Sequence, residues 1–194
     1  MTFGIYYIEV INIVLLCQEV VIIKDQIIKI LDGLPDEELE NVYWAVKHIE
    51  KKYQFKWNLF GKGVKIENLF DESEKIIACW ENTFAGNISQ DAKNSIYYEQ
   101  FRWHIFSYEI QPCISKDAAK DAFDSINKDE LYMMYQNSPY VTMLSNASAI
   151  KASDFDNEQD VYIFDKSFAW TYVRTHESMC GPYFTFKHAI EVGL

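Results

Sequence analysis

Cys180, His176 and Glu177 stand close together in the stretch Thr175-His176-Glu177-Ser178-Met179-Cys180. These are the residue types of covalent catalysis, in which a thiolate attacks, a base takes its proton and a third group orients the base. His176 and Cys180 are four positions apart, so a turn would bring them together. His104 and Tyr108 supply a second candidate base and acid on a different element, and the Gly181 N–H is a candidate oxyanion donor. A plainer reading makes Cys180 a small buried hydrophobe beside a Gly181-Pro182 turn, and His176 the polar end of a strand. The plainer reading is favoured.

Three other chemistries are open to these residues, and the two metal readings are weak. His176, Cys180, His104 and Cys113 contain zinc-ligand types, but structural zinc sites show two short-spaced pairs and these do not. Asp154, Asp156, Glu158 and Asp160 alternate as in a calcium loop, with Asp165 at the twelfth place, yet Gln159 stands where such a loop wants Gly. A solvated acidic loop is expected instead, so neither a metal nor a cofactor is assigned. The last chemistry is recognition. Strand alternation places Trp170, Tyr172, Arg174 and His176 on one face, and Thr171, Val173 and Thr175 on the other; the heavier Trp170 and Tyr172 favour burying their face, and a binding surface results if that face is instead outside. Trp103, Tyr172, Arg174 and Tyr183 are the candidate binding residues, being of the types that dominate interface hot spots. No Gly-rich phosphate loop, Gly-x-Ser-x-Gly elbow or His-Glu-x-x-His helix is present, which removes the familiar nucleotide enzymes, serine hydrolases and zinc proteases.

The elements that must position these residues follow from periodicity. Val161–Phe164 and Ala169–His176 flank the polar Asp165-Lys166-Ser167-Phe168 and predict a β-hairpin. Glu130–Gln136 and Tyr140–Leu144 flank Asn137-Ser138-Pro139 and predict another. Helices are expected over Glu74–Phe84, from the Ser89 cap through Tyr98, over Phe101–Glu109, and after Ser115. Upstream, Ile27, Ile28 and Leu31 share a helical face until Asp32-Gly33-Leu34-Pro35. Leu39, Val42, Tyr43, Val46 and Ile49 then recur at helical spacing through about Lys52. Gln54–Gly63 reads as an irregular connector. Residues 3–23 are the most apolar run; a packed strand or helix is favoured over a membrane span because Glu9 and Glu19 interrupt it, and a translated leader is a third reading. The expected fold is α+β, with a helical N-terminal segment, then helices on one face of a mainly antiparallel sheet that ends in a C-terminal β-hairpin. The expected division is 1–63, an apolar leader with a helical hairpin, and 64–194, the α+β domain.

Trp103-His104-Ile105-Phe106-Ser107-Tyr108-Glu109, and the run from Asp165 to Phe184 with Thr175-His176-Glu177 and Cys180-Gly181-Pro182-Tyr183-Phe184, carry a resemblance. Over about residues 70–187 the chain is similar to domain of unknown function 4275, a family of small proteins of spore-forming Gram-positive bacteria. The resemblance implies a cytoplasmic bacterial protein and brings no established activity.

Of 194 residues, 29 are acidic and 18 basic, giving a net charge of −11. Phosphate backbones repel such a surface, so nucleic acid is not an expected partner. Aromatic residues make up 16%, enough for a dense core in a small domain. Cys17, Cys79, Cys113 and Cys180 are widely spaced with no CxxC pair, which reads as reduced, intracellular thiols. The first functional expectation is a non-enzymatic, immunity-protein-like module that binds a basic protein. The alternatives are a small thiol or acid–base enzyme using Cys180, His176 and Glu177, and a structural protein that forms a homodimer through residues 24–52.

Overall fold

The computed structural model describes residues 21–187 and residue 189. Most of the apolar run 3–23 therefore lies outside the described residues, as does Cys17. The chain forms two compact units, Met1–Tyr53 and Gln54–Leu194. Among the described residues no helix is long and apolar enough to cross a membrane.

In the first unit, helix α1 covers 21–32 and a turn at 33–35 ends it. Helix α2 runs over Asp36–Gly61, with Asp36, Glu37 and Glu38 in its first turn, where negative charge complements the helix dipole. The stretch Gln54–Gly63 is thus not an irregular connector. It continues α2, and its Phe55 and Leu59 recur at helical spacing because both pack on the core of the second unit. The expected division at 63/64 falls just past the helix end, whereas the compact units meet inside it, between Tyr53 and Gln54.

The second unit is α+β. Seven strands form one sheet in the order β1-β4-β3-β5-β6-β7-β2, and every pairing is antiparallel. They are β1 (Lys65–Leu69), β2 (Ile114–Ser115), β3 (Glu130–Tyr135), β4 (Val141–Ser145), β5 (Val161–Asp165), β6 (Trp170–Arg174) and β7 (Tyr183–Phe186). The helices are α3 (Ser73–Ala85), α4 (Gln90–Ser95), α5 (His104–Ser107) and α6 (Lys116–Ser125). Helices were expected on one face only; they cover both. One face packs Leu131, Ile163 and Tyr172 on Phe123 of α6 and Leu59 of α2. The other packs Tyr162, Phe164 and Val173 on Trp80 and Phe84 of α3 and on Trp103 and Phe106. Val161, Tyr162, Ile163 and Phe164 are all fully buried. A strand covered on both sides reads as a continuous apolar run instead of an alternation, which is what VYIF is.

Rings lock both layers. Phe123 lies 4.6 Å from Tyr172 and meets Trp170 edge-on at 5.8 Å, while Trp80 meets Tyr162 edge-on at 5.1 Å. The Trp80 Nε1–H donates to Thr171 Oγ1 at 3.0 Å, so the ring's one polar atom is satisfied. Asp165 builds the β5–β6 turn: its carboxylate accepts from the backbone N–H of Ser167, Ala169 and Trp170. Local signals were less decisive between residues 96 and 109. The Ser89 cap is present, its hydroxyl accepting from Ala92 N–H, but α4 stops at Ser95 instead of reaching Tyr98. The helix expected over Phe101–Glu109 is a single turn, α5, because Tyr97 and Glu109 adopt positive φ and break the run on both sides.

A chain beginning at Gln54 should unfold cooperatively. One beginning at Val64 should be less stable by about 2–5 kcal/mol, the usual loss for deleting a buried Leu, here Leu59. Denaturant midpoints of the two chains check this, and equal stabilities would show that the end of α2 contributes nothing to the core.

Candidate functional site

The two sequence runs that hold the candidate residues meet at Asp160. This residue precedes β5 with φ 49°, a left-handed conformation that Asp tolerates better than most side chains. Its Oδ1 accepts from Trp103 Nε1 at 2.9 Å and from the backbone N–H of His176 at 3.1 Å. His176 Nδ1 lies 2.9 Å from both carboxylate oxygens. An ionised carboxylate only accepts, so Nδ1 carries the proton and Nε2 is directed elsewhere, 3.9 Å from Glu177 Oε1. The backbone beneath is cross-tied. Trp103 N–H donates to Tyr162 Oη at 3.0 Å, Tyr162 Oη–H donates to Gln136 Oε1 at 2.6 Å, and Gln136 N–H donates to the Asp160 carbonyl at 2.9 Å. Burial pushes the Tyr162 hydroxyl well above the ordinary tyrosine range, so it stays a donor.

His104 takes part differently. Its Nδ1 faces the Ile96 carbonyl, which can only accept, and so it too carries its proton there. Its ring meets Trp103 edge-on at 4.4 Å and Tyr108 at 5.3 Å. Both imidazoles pack on Phe101, at 5.3 Å for His104 and 4.9 Å for His176. The result is an Asp–His pair on an aromatic bed, with His176 Nε2 as the available proton acceptor and Glu177 beside it. General acid–base work is what this geometry can do. His104, Tyr108, His176 and Glu177 are thus brought into one neighbourhood.

Among the described residues no hydrogen bond joins Cys180 to His176. The hydrogen bond from its thiol to the Glu177 carboxylate, followed by burial, pushes that thiol up from its ordinary value. The loop folds around Thr175, whose hydroxyl donates to the Glu177 and Cys180 carbonyls. Gly181 is required there: its φ is +76° and an added Cβ would sit 3.2 Å from Thr175 Oγ1 and from the Tyr183 ring. Trp103, Tyr172 and Tyr183, the expected binding residues, are buried in the two cores and present no ring face to a partner. Arg174 is half-buried and donates through Nη1 to the Thr175 carbonyl at 2.8 Å. Among the described residues no group of three or more His, Cys, Asp or Glu side chains is placed to hold a metal ion.

The acidic run before β5 is spent on internal partners. Asp154 pairs with Lys62 at 2.6 Å, Asp156 with Lys120 at 3.3 Å, Glu158 accepts from Tyr135 Oη at 2.5 Å, and Asp160 holds His176. An open acidic surface lies elsewhere, on the sheet face where Glu67 of β1, Met143 of β4 and Tyr132 of β3 stand side by side in register; the groove there, of about 630 Å³, is also lined by Phe70, Asp71, Glu72 and Lys166. Phe70 and Tyr140 are 60% and 51% exposed and meet edge-on at 5.1 Å. Lys166 is already paired with Glu130 at 2.9 Å, whereas Glu67, Asp71 and Glu72 make no ion pair among the described residues.

The family described as domain of unknown function (DUF4275) matches residues 54–184. The chain belongs to this family. The DUF4275 match begins at the second compact unit and contains the sheet up to the first half of β7, the Asp160–His176 pair and the acidic groove. No curated protein and no solved structure matches the chain.

With its thiol held up by Glu177, Cys180 should react slowly with iodoacetamide near neutral pH. Its labelling should accelerate only as pH rises past the ordinary thiol value, because the thiolate is the reactive form. Mass-spectrometric labelling rates read this directly; a fast reaction at pH 6.5 would mean an activated thiol. Asp160→Ala should cost about 2–4 kcal/mol of stability, since it strands the Trp103 and His176 donors and places Ala at positive φ. Asp160→Asn, which keeps an acceptor and tolerates that φ, should cost less in the same melts.

Proposed function

We propose that the DUF4275 domain of this chain is a non-enzymatic interaction module, immunity-protein-like, that binds an extended basic segment of a partner protein along the outer edge of β1. The observation that carries the reading is the acidic groove on the β1–β4–β3 face together with the free edge of β1 beside it. Three carboxylates without ion-pair partners among the described residues, Glu67, Asp71 and Glu72, stand beside an exposed aromatic pair, Phe70 and Tyr140. β1 ends the sheet, and among the described residues no strand pairs with its outer edge. An edge strand offers backbone donors and acceptors to an incoming extended chain, and side-chain groups along it choose which chain. Here the charge selects Lys- and Arg-rich segments, and the rings supply apolar contact. The net charge of −11 disfavours nucleic acid as that partner. Free thiols at Cys79, Cys113 and Cys180 support a cytoplasmic setting, where thiols stay reduced.

The test uses a partner captured from the native cell and purified. Reversing Glu67, Asp71 and Glu72 to Lys should slow association about tenfold or more and flatten its salt dependence, while Phe70→Ala should raise the dissociation rate. An acidic partner, or an on-rate indifferent to salt and to these substitutions, would remove the reading. A second reading, a small acid–base enzyme, is favoured by one contact: His176 Nδ1 on Asp160, which orients Nε2. It requires a turnover that His176→Gln abolishes without lowering the thermal midpoint.

A further inference from the structure

We infer that the first unit pairs with a second copy of itself through α2, the two helices running antiparallel about a two-fold axis near Val46. The face is apolar and open. Leu39, Tyr43, Val46 and Ile49 fall on one stripe of α2 and are 39%, 55%, 56% and 66% exposed. Spacings of four, three and three residues are those of a helix–helix seam, and such a seam left in water on a long helix is unfavourable. Burying a few such large side chains is enough to drive association.

Charge selects the occupant and its direction. The first residues of α2 are acidic: Asp36, Glu37, Glu38 and Glu40. Further along come Lys47, Lys51 and Lys52, with Glu50 the one acid among them and already paired with Lys47 at 2.5 Å. Glu40 and Lys51 flank the apolar stripe on one side, and Glu38 and Lys52 flank it on the other. In an antiparallel two-stranded seam, equivalent flanks of the two copies face each other. Glu40 of each copy then meets Lys51 of the other, Glu38 meets Lys52, and Val46 lies across from itself. A parallel pair would instead stack the acidic turns on each other. The helix is therefore complementary to its own reverse, which is the requirement of an isologous interface. This pairing is independent of the groove on the second unit.

The full chain should sediment as a dimer at tens of micromolar. Val46→Asp should raise the dissociation constant about tenfold or more, with the circular dichroism unchanged. Glu38→Lys with Glu40→Lys should give a monomer, as should Lys51→Glu with Lys52→Glu, and mixing the two variants should restore a dimer; that rescue separates lost pairing from lost folding. Under mild oxidation Val46→Cys should cross-link to itself through position 46 and Leu39→Cys should not through position 39, both read by peptide mapping. A monomer at these concentrations overturns the inference. So does a chain that stays monomeric and binds phosphatidylcholine vesicles through α2, which would make a lipid surface the occupant. Self-linking of Leu39→Cys overturns the antiparallel direction.

Discussion

Covering both faces of β5 is the constraint from which the second unit follows. Val161, Tyr162, Ile163 and Phe164 alternate between two cores, and each core needs its own layer of helices. Phe123 of α6 and Leu59 of α2 close one side, while Trp80 and Phe84 of α3 with Trp103 and Phe106 close the other. An antiparallel sheet often leaves one face to water. Here the aromatic content makes the doubly covered arrangement possible, because each large ring fills volume that several aliphatic side chains would otherwise supply. The same constraint removes Tyr172, Trp103 and Tyr183 from any recognition surface. What remains for function lies at the ends and edges of the sheet.

Asp160 shows how the covered sheet positions a site. β5 pairs with β6 in the register Val161↔Arg174 and Phe164↔Thr171. Continuing that register one step past Val161 carries Asp160 to Thr175, next to His176. The carboxylate's two oxygens then take the His176 backbone, the His176 ring and the Trp103 indole. A partly buried carboxylate is tolerated because it accepts several hydrogen bonds at once. The segment 101–108 has little regular structure of its own, and Trp103 is its anchor to the sheet.

The hairpins, the helix pair as far as about Lys52 and the α+β class were legible in the sequence because local chemistry specified them; the last turns of α2 were not, since Phe55 and Leu59 are set by packing on the sheet. Asp165 closing its own turn and Asp36-Glu37-Glu38 opening α2 are local events. The partner of His176 was not found because closeness in sequence to Cys180 was weighed above strand register. The hairpin itself contained the answer: counting back from Phe164↔Thr171 reaches Asp160, not Cys180. Two-sided burial was signalled by VYIF lacking alternation, but the run looked like an ordinary hairpin strand. The acidic groove left no motif at all, since Phe70 and Tyr140 are distant in sequence and meet only because Leu69↔Val141 continues one step outward.

The distribution of charge matters more than its sum. Four basic residues of the second unit are tied to carboxylates: Lys62 to Asp154, Lys120 to Asp156, Lys166 to Glu130 and Arg102 to Glu81. Exposed pairs of this kind contribute little stability, yet each cancels a carboxylate and so shapes the field outside the molecule. In the acidic loop before β5, Asp154 and Asp156 are neutralised by this means, while Glu158 and Asp160 are held by hydrogen bonds from Tyr135 and His176. Among the described residues Glu67, Asp71 and Glu72 make no ion pair, and they line a groove beside exposed rings. Solubility alone would be served by carboxylates scattered over the surface, with no need for aromatic rings among them. Placing the uncancelled charge where backbone hydrogen bonds and apolar contact are also on offer adds the elements of recognition: attraction at a distance, registration by the strand, and rings to hold what has docked.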